Sequence, residues 1–204
     1  QTHYFPANMV LAVAGNINKA KLQKSLQNFS EAGEGMAART KKDIKNDFKK
    51  FVWDKKILPM RERLLVSKRK VDQAQVIIGF PGFHYNDKDR FALSALLNIL
   101  GGGMSSRLFV EVREKKGLAY MVSAGSSSFR DVGAATISAG LDPSRFADAV
   151  KVIKIELIKI QEEKVSDKEL LDAKNNIAGR TELSMESSSA QAQWFAKQFW
   201  FADK

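Results

Sequence analysis

The chain has 204 residues, 44% hydrophobic and 27% charged, with a formal net charge of +10 and no cysteine. That length suits one large domain, or a small piece followed by a domain, of ordinary globular composition. Disulfides, thiolate metal sites and cysteine nucleophiles are excluded, and no apolar run reaches the ~18 residues a membrane span needs.

Residues 9–14 (MVLAVA) are a short apolar run with β-branched members, ended by Gly15 and Asn16, and predict a buried strand. Asn18 can cap a helix carrying Leu22, Leu26 and Phe29. Glycines and lysines then dominate from Gly33 to about Asp47. The expected division is a strand and helix over 1–35, a linker over 36–48 and a domain over 49–204. Much of the positive charge lies in residues 41–70. That stretch lacks the aromatic and glycine interleaving of a single-strand binder, so it reads as solvated linker and strand ends, and no nucleic-acid partner is expected.

Strands are expected at 50–53 and 63–67, and a stronger one at 73–80 (QAQVIIGF), ended by Pro81 and Gly82. Residues 87–100 predict a helix whose apolar stripe is Phe91, Ala92, Ala95, Leu96, Ile99 and Leu100. Three glycines follow: Gly101, Gly102 and Gly103. A helix over about 105–116 would bury Leu108, Phe109 and Val112, with Arg107, Glu111 and Lys115 at favourable i,i+4 spacing and Gly117 as its C-cap. Residues 118–124 and 134–141 read as strands around the turn signals Arg130, Asp131 and Gly133.

Asp142-Pro143 starts a helix, with an acceptor at the N-cap and a proline where no amide hydrogen is needed. Its core face would be Phe146, Ala149, Val150, Ile153, Leu157 and Ile160. The segment KVIKIELIKI also alternates like a strand, but its length and its start favour a helix. Ser166 with Glu169 forms a capping box for a helix through Leu170, Ala173 and Ile177, with a break near Gly179 or residues 187–189. The order of elements predicts an α+β fold, a mostly antiparallel sheet packed against helices.

No self-sufficient catalytic centre is legible. The two histidines, His3 and His84, stand in unrelated segments, without the two-histidine, one-glutamate spacing of a zinc-binding helix. No metal site is therefore expected in this chain, and no serine has an assignable base. The opening for chemistry is GGGMSSRLFVEVREKKGLAY, residues 101–120. Ordering three consecutive glycines costs backbone entropy. They form either a plain helix end and turn, or a place where another backbone can approach. Arg113 lies on the flank of the apolar stripe, and Tyr120 opens a strand that can run back past the helix end. A guanidinium and a phenol are both donors, and two convergent donors can hold a peptide carbonyl or an oxyanion. The plainer alternative is a surface arginine and a half-buried tyrosine.

The stretch LNILGGGMSSRLFVEVREKKGLAY resembles the signature of the second domain of pitrilysin–insulinase-type zinc metallopeptidases, a family that includes the mitochondrial processing peptidases. HYFPANMVLAVAGNINKAKLQKSL resembles the strand and helix closing that family's first domain, QAQVIIGFPG the opening strand of the second, and NNIAGRTELSMESSSAQAQWFAKQ its late helices. The resemblance implies two homologous α+β domains facing each other, with zinc held by a His-x-x-Glu-His motif in the first. It implies that Arg113 and Tyr120 reach the substrate at the scissile bond, and that Gly101, Gly102 and Gly103 line the peptide channel. The zinc motif is absent here. The chain is thus expected to be a fragment, starting after that motif and stopping before the second domain's closing strand, and alone to bind no catalytic zinc and cleave nothing. Its implied partners are a peptide substrate and the missing zinc-bearing domain. Residues 9–14 would fill the vacant strand position in their own sheet or, as a swap, in a homodimer's. A non-catalytic scaffold or inactive subunit is the alternative role, and the compartment stays open between bacterial cytoplasm and periplasm.

Overall fold

The computed structural model describes residues 9–31 and 73–201. They fall into two units: one comprises 73–178, the other 9–31 with 179–201.

Alternation along three strands organises the first unit. Strands β1 (Ala74–Gly82), β2 (Ala119–Ser128) and β3 (Gly133–Leu141) form an antiparallel sheet in the order β1-β3-β2. In β3 every second side chain is buried: Ala135, Ile137, Ala139 and Leu141. These meet Leu97 and Leu100 of helix α2 (Arg90–Gly101), Leu108 and Val112 of the next helical segment, and Ala149, Val152 and Ile153 of α3 (Phe146–Glu162). Burying each large aliphatic side chain contributes about 1.5–3 kcal/mol, so this one-sided packing is what fixes the register. On the other face Gln75, Ile77, Gly79 and Pro81 of β1 and Met121, Ser123, Gly125 and Ser127 of β2 are exposed, flanking the half-buried Ala134, Thr136 and Ser138 of β3. Small residues dominate that face.

The α+β architecture with an antiparallel sheet is as the sequence predicts, with local differences. β1 runs on through Pro81 and Gly82, which pair with Ala134 and Gly133; a proline is tolerated where its missing donor faces away from the ladder. Helix α2 begins at Arg90, because Asp87 accepts from the Asp89 amide at 2.9 Å and makes a turn of the expected first residues. Its buried side is Leu97, Ile99, Leu100 and Gly101, with Leu93 packed against the core, while Phe91 is 65% exposed and lies beneath the Arg90 guanidinium. The stripe is rotated because Gly101 brings the helix end against β2. On α3, Phe146 is exposed and Glu156 is buried, its carboxylate accepting from Lys159 Nζ at 2.7 Å. A short 3-10 turn (Pro143–Arg145) precedes α3, with Asp142 Oδ1 accepting from the Ser144 amide at 2.8 Å.

Helix α4 (Asp167–Met185) opens on the expected capping box: Ser166 N donates to Glu169 Oε2 at 3.2 Å and Glu169 N to Ser166 Oγ at 3.2 Å. It carries Gly179 without interruption, and the break falls at Glu186 and Ser187 before α5 (Ser188–Phe201).

In the other unit, Asn18 caps α1 (Lys19–Glu31), its Oδ1 accepting from Lys21 N at 3.0 Å. The strand expected at residues 9–14 is not formed among the described residues: there the segment has no ladder partner and takes no place in the β1-β3-β2 sheet. Its side chains do alternate, with Met9, Leu11 and Val13 exposed and Val10, Ala12 and Ala14 half-buried. The expected burial thus reaches only alternate residues, and among the described residues the pairing that would make the segment a strand is missing. Val10, with Ala196, Lys197, Trp200 and Phe201 of α5, lines a shallow apolar groove. The expected strands at 50–53 and 63–67, the linker and the lysine-rich stretch lie outside the described residues.

Candidate functional site

Each of the three glycines has its own surroundings. Gly101, the last residue of α2, is buried; a Cβ there would stand 2.5 Å from the Ala124 backbone nitrogen and 2.8 Å from the Ala124 Cβ. Its glycine therefore serves the close approach of α2 to β2. Gly102 donates to Asn98 O at 2.8 Å and is crowded by the Asn98 side chain, which donates to Asn176 Oδ1 at 3.0 Å. Gly103 has open space where a Cβ would be. The expected channel-lining role is thus free of a competing packing reason at Gly103 alone.

The next segment is a π-helix (Phe109–Glu114), where an ordinary helix over about 105–116 was expected. Lys115 N donates to Val110 O at 2.9 Å, spanning one residue more than an α-turn. Such widened turns mark one extra residue in the helix and recur at functional sites. The segment closes on Gly117, whose φ of 57° is left-handed, with Gly117 N donating to Arg113 O at 3.0 Å and Leu118 N to Val112 O at 2.8 Å. Arg113 stands in the last turn, exposed, its Cζ 4.8 Å from the centre of the Phe109 ring.

A second irregularity follows at once. Ala119 pairs with Leu141 and Met121 with Gly140, so Tyr120 is the extra residue of a β-bulge. Bulges re-aim side chains. Here Tyr120 and Met121 are both exposed, at 60% and 52%, where strict alternation would bury one of them. The plainer expectation of a half-buried tyrosine therefore fails. Arg113 and Tyr120 are both presented to solvent, one on either side of the Gly117 turn. Among the described residues neither side chain has a hydrogen-bonding partner.

Arg107 behaves differently from its expected helical pairing with Glu111. Its Nε and Nη2 donate to Glu169 Oε1 and Oε2 at 2.8 and 3.1 Å. This bidentate pair ties the start of the π-helical segment to the N-terminus of α4. It also holds the Glu169 carboxyl down to about 2, first through the Arg107 bond and further through Ser166. Glu111 pairs with Lys115 as expected, at 2.6 Å. The π-turn, the bulge and the Arg107–Glu169 pair escape pattern reading. The first two are single-residue departures from a period, and the third joins positions far apart in sequence.

Among the described residues no three of His, Asp and Glu gather where they could hold a metal ion. His84 lies in the loop after β1, its Nε2 3.9 Å from Asp87 Oδ2. These residues do not fit a zinc site. Nor is any helix among them long and apolar enough to cross a membrane.

Residues 1–177 match the family described as the peptidase M16 inactive domain. The chain belongs to the peptidase M16 family. Among relatives of this M16 domain, an uncharacterised zinc protease of Streptomyces coelicolor is 35% identical over 196 residues, covering 92% of this chain and 40% of the relative. A solved peptidase M16 inactive domain from Pseudomonas fluorescens is 27% identical with a TM-score of 0.57, covering 63% of this chain and 30% of that one. A protease from Helicobacter pylori shares the fold, with a TM-score of 0.65 at 24% identity over 91% of this chain and 44% of its own. The M16 domain spans about two-fifths of the length of the curated relatives it matches. The resemblance carried by residues 101–120 is thereby a family membership.

Proposed function

We propose that this M16 domain is the zinc-free half of a metalloendopeptidase, and that Arg113 and Tyr120 hold the carbonyl oxygen of the peptide bond under attack. The observation that carries the reading is the presentation of these two donors. One stands in the last turn of a π-helix and the other on a β-bulge, both exposed and both with side chains that have no hydrogen-bonding partner among the described residues. Two irregularities that each re-aim a side chain, on either side of one left-handed glycine, suit a site better than a core. Donors held in place before the oxyanion develops stabilise it without reorganising at the moment of reaction.

Zinc, named in the relatives, would belong to a zinc-bearing partner domain, since the sequence has no His-x-x-Glu-His and the described residues do not fit the ion. What this domain supplies is binding and orientation. An extended peptide would lie past Gly103, its carbonyl between the guanidinium and the phenol.

The test is peptide hydrolysis by the assembled enzyme, with this domain joined to its zinc-bearing half. Arg113→Ala and Tyr120→Phe should each lower kcat by ~10²–10³ with KM little changed. Wild-type kcat in both folded variants would refute the assignment.

A further inference from the structure

Arg113 is a long, exposed side chain, and the described residues give it no acidic partner. Two other arginines here are tethered through their donors, while Arg90, like Arg113, lies over aromatic rings, those of Tyr85 and Phe91. Arg107 spends its donors on Glu169, and Arg145 Nη1 donates to Lys116 O at 3.2 Å. Arg113 has instead a ring: its Cζ lies over Phe109 at 4.8 Å from the centroid. Phe109 itself is half-buried and packed against the core cluster, so it is a fixed platform. Both residues belong to the same π-helical segment, one at its first position and one in its last turn.

The chemistry of the two tethers differs. A carboxylate would hold a guanidinium by its N–H edge and neutralise it, leaving little for a substrate. An aromatic ring attracts the cation through its face. The five N–H donors of a guanidinium lie in the plane of the group and point outward from its edge. Held over a ring, Arg113 loses rotamer freedom while keeping both its charge and its donors.

We infer that Phe109 is the positioning residue for Arg113, orienting its guanidinium toward a peptide carbonyl without occupying its donors. This rests on the catalytic reading of Arg113 given above. Phe109 touches no reacting atom; it acts through the arginine.

The test is a double-mutant cycle in the assembled enzyme, reading kcat and KM separately for Phe109→Leu, Phe109→Tyr, Arg113→Ala and the Phe109→Leu/Arg113→Ala pair. Leucine keeps the apolar contact with the core and removes the π face. Phe109→Leu should lower kcat on the order of 10-fold with KM nearly unchanged. Phe109→Tyr should restore kcat, and Phe109→Leu should add nothing in the Arg113→Ala background. An equal loss in both backgrounds, or no loss from Phe109→Leu while Arg113→Ala remains costly, overturns the positioning role. An Arg113→Ala variant with wild-type kcat overturns the catalytic reading beneath it. A measurement free of activity decides the geometry even if the leucine variant fails to fold. In the wild-type chain the Arg113 δ-methylene protons should be shifted upfield by the Phe109 ring current, and protons at their ordinary positions refute the stacking.

Discussion

Replacing Glu169 with glutamine removes one charge from the junction between the π-helical segment and α4, and leaves a side chain that still completes a capping box. In the wild-type chain the carboxylate accepts two bonds from Arg107 and two from Ser166. These hold its pKa at about 2 instead of the ordinary 4.5, with the Arg107 bond the leading cause. Unscreened, that depression corresponds to about 3 kcal/mol of folding stability at neutral pH. The Glu169 side chain is 35% exposed, so water and salt screen the pair. Exposed ion pairs yield ~0.2–1 kcal/mol and a bidentate arginine pair sits at the upper end, so the expected loss is about 1 kcal/mol. The sign follows from the direction of the shift. A carboxylate with a depressed folded pKa stabilises the fold above its unfolded pKa, and that stabilisation fades as pH falls from about 4.5 toward about 2. Urea unfolding of wild type and Glu169→Gln should therefore show a gap at neutral pH that closes on acidification. A gap of equal size at about pH 3, or none at neutral pH, refutes the reasoning.

Two further substitutions probe the backbone. Gly101→Ala forces a methyl against the Ala124 backbone at 2.5 Å and should cost about 1–3 kcal/mol as α2 and β2 separate, whereas Gly103→Ala, into open space, should leave Tm almost unchanged. Equal effects at the two positions in thermal melts would contradict the separate roles given to these glycines. Gly117→Ala places a side chain at a φ of 57° and should cost about 1–2 kcal/mol by denaturant unfolding; a neutral result would mean that the turn relaxes out of the left-handed region.

The fold was legible wherever one period ran undisturbed. The strand expected at 134–141 after the turn signals matches β3 almost residue for residue, and the Asp142-Pro143 and Ser166–Glu169 signals marked the starts of α3 and α4. Reading failed where a contact outside the local pattern decided the outcome. Phe91 looked like core, yet Gly101 sets which side of α2 meets the sheet, and Phe91 ends at the surface beneath Arg90. Glu156 is not on the expected core face of α3, yet it is buried with Lys159 as its partner. Residues 9–14 have the composition and alternation of a strand, but a strand also needs a neighbour, and that is not written in the segment itself. At the candidate site the residue types Arg113 and Tyr120 were visible. Their presentation was not, because the π-turn and the bulge each insert one residue into an otherwise regular pattern.

Between Phe109 and Met121 the polypeptide thus carries two supernumerary residues, one in a helix and one in a strand. Each alters where every later side chain in its element points. The information stored in this stretch is therefore partly a matter of counting. Removing one residue from either element would keep the Arg113 and Tyr120 side-chain types and aim one of them elsewhere, so spacing matters here beside identity.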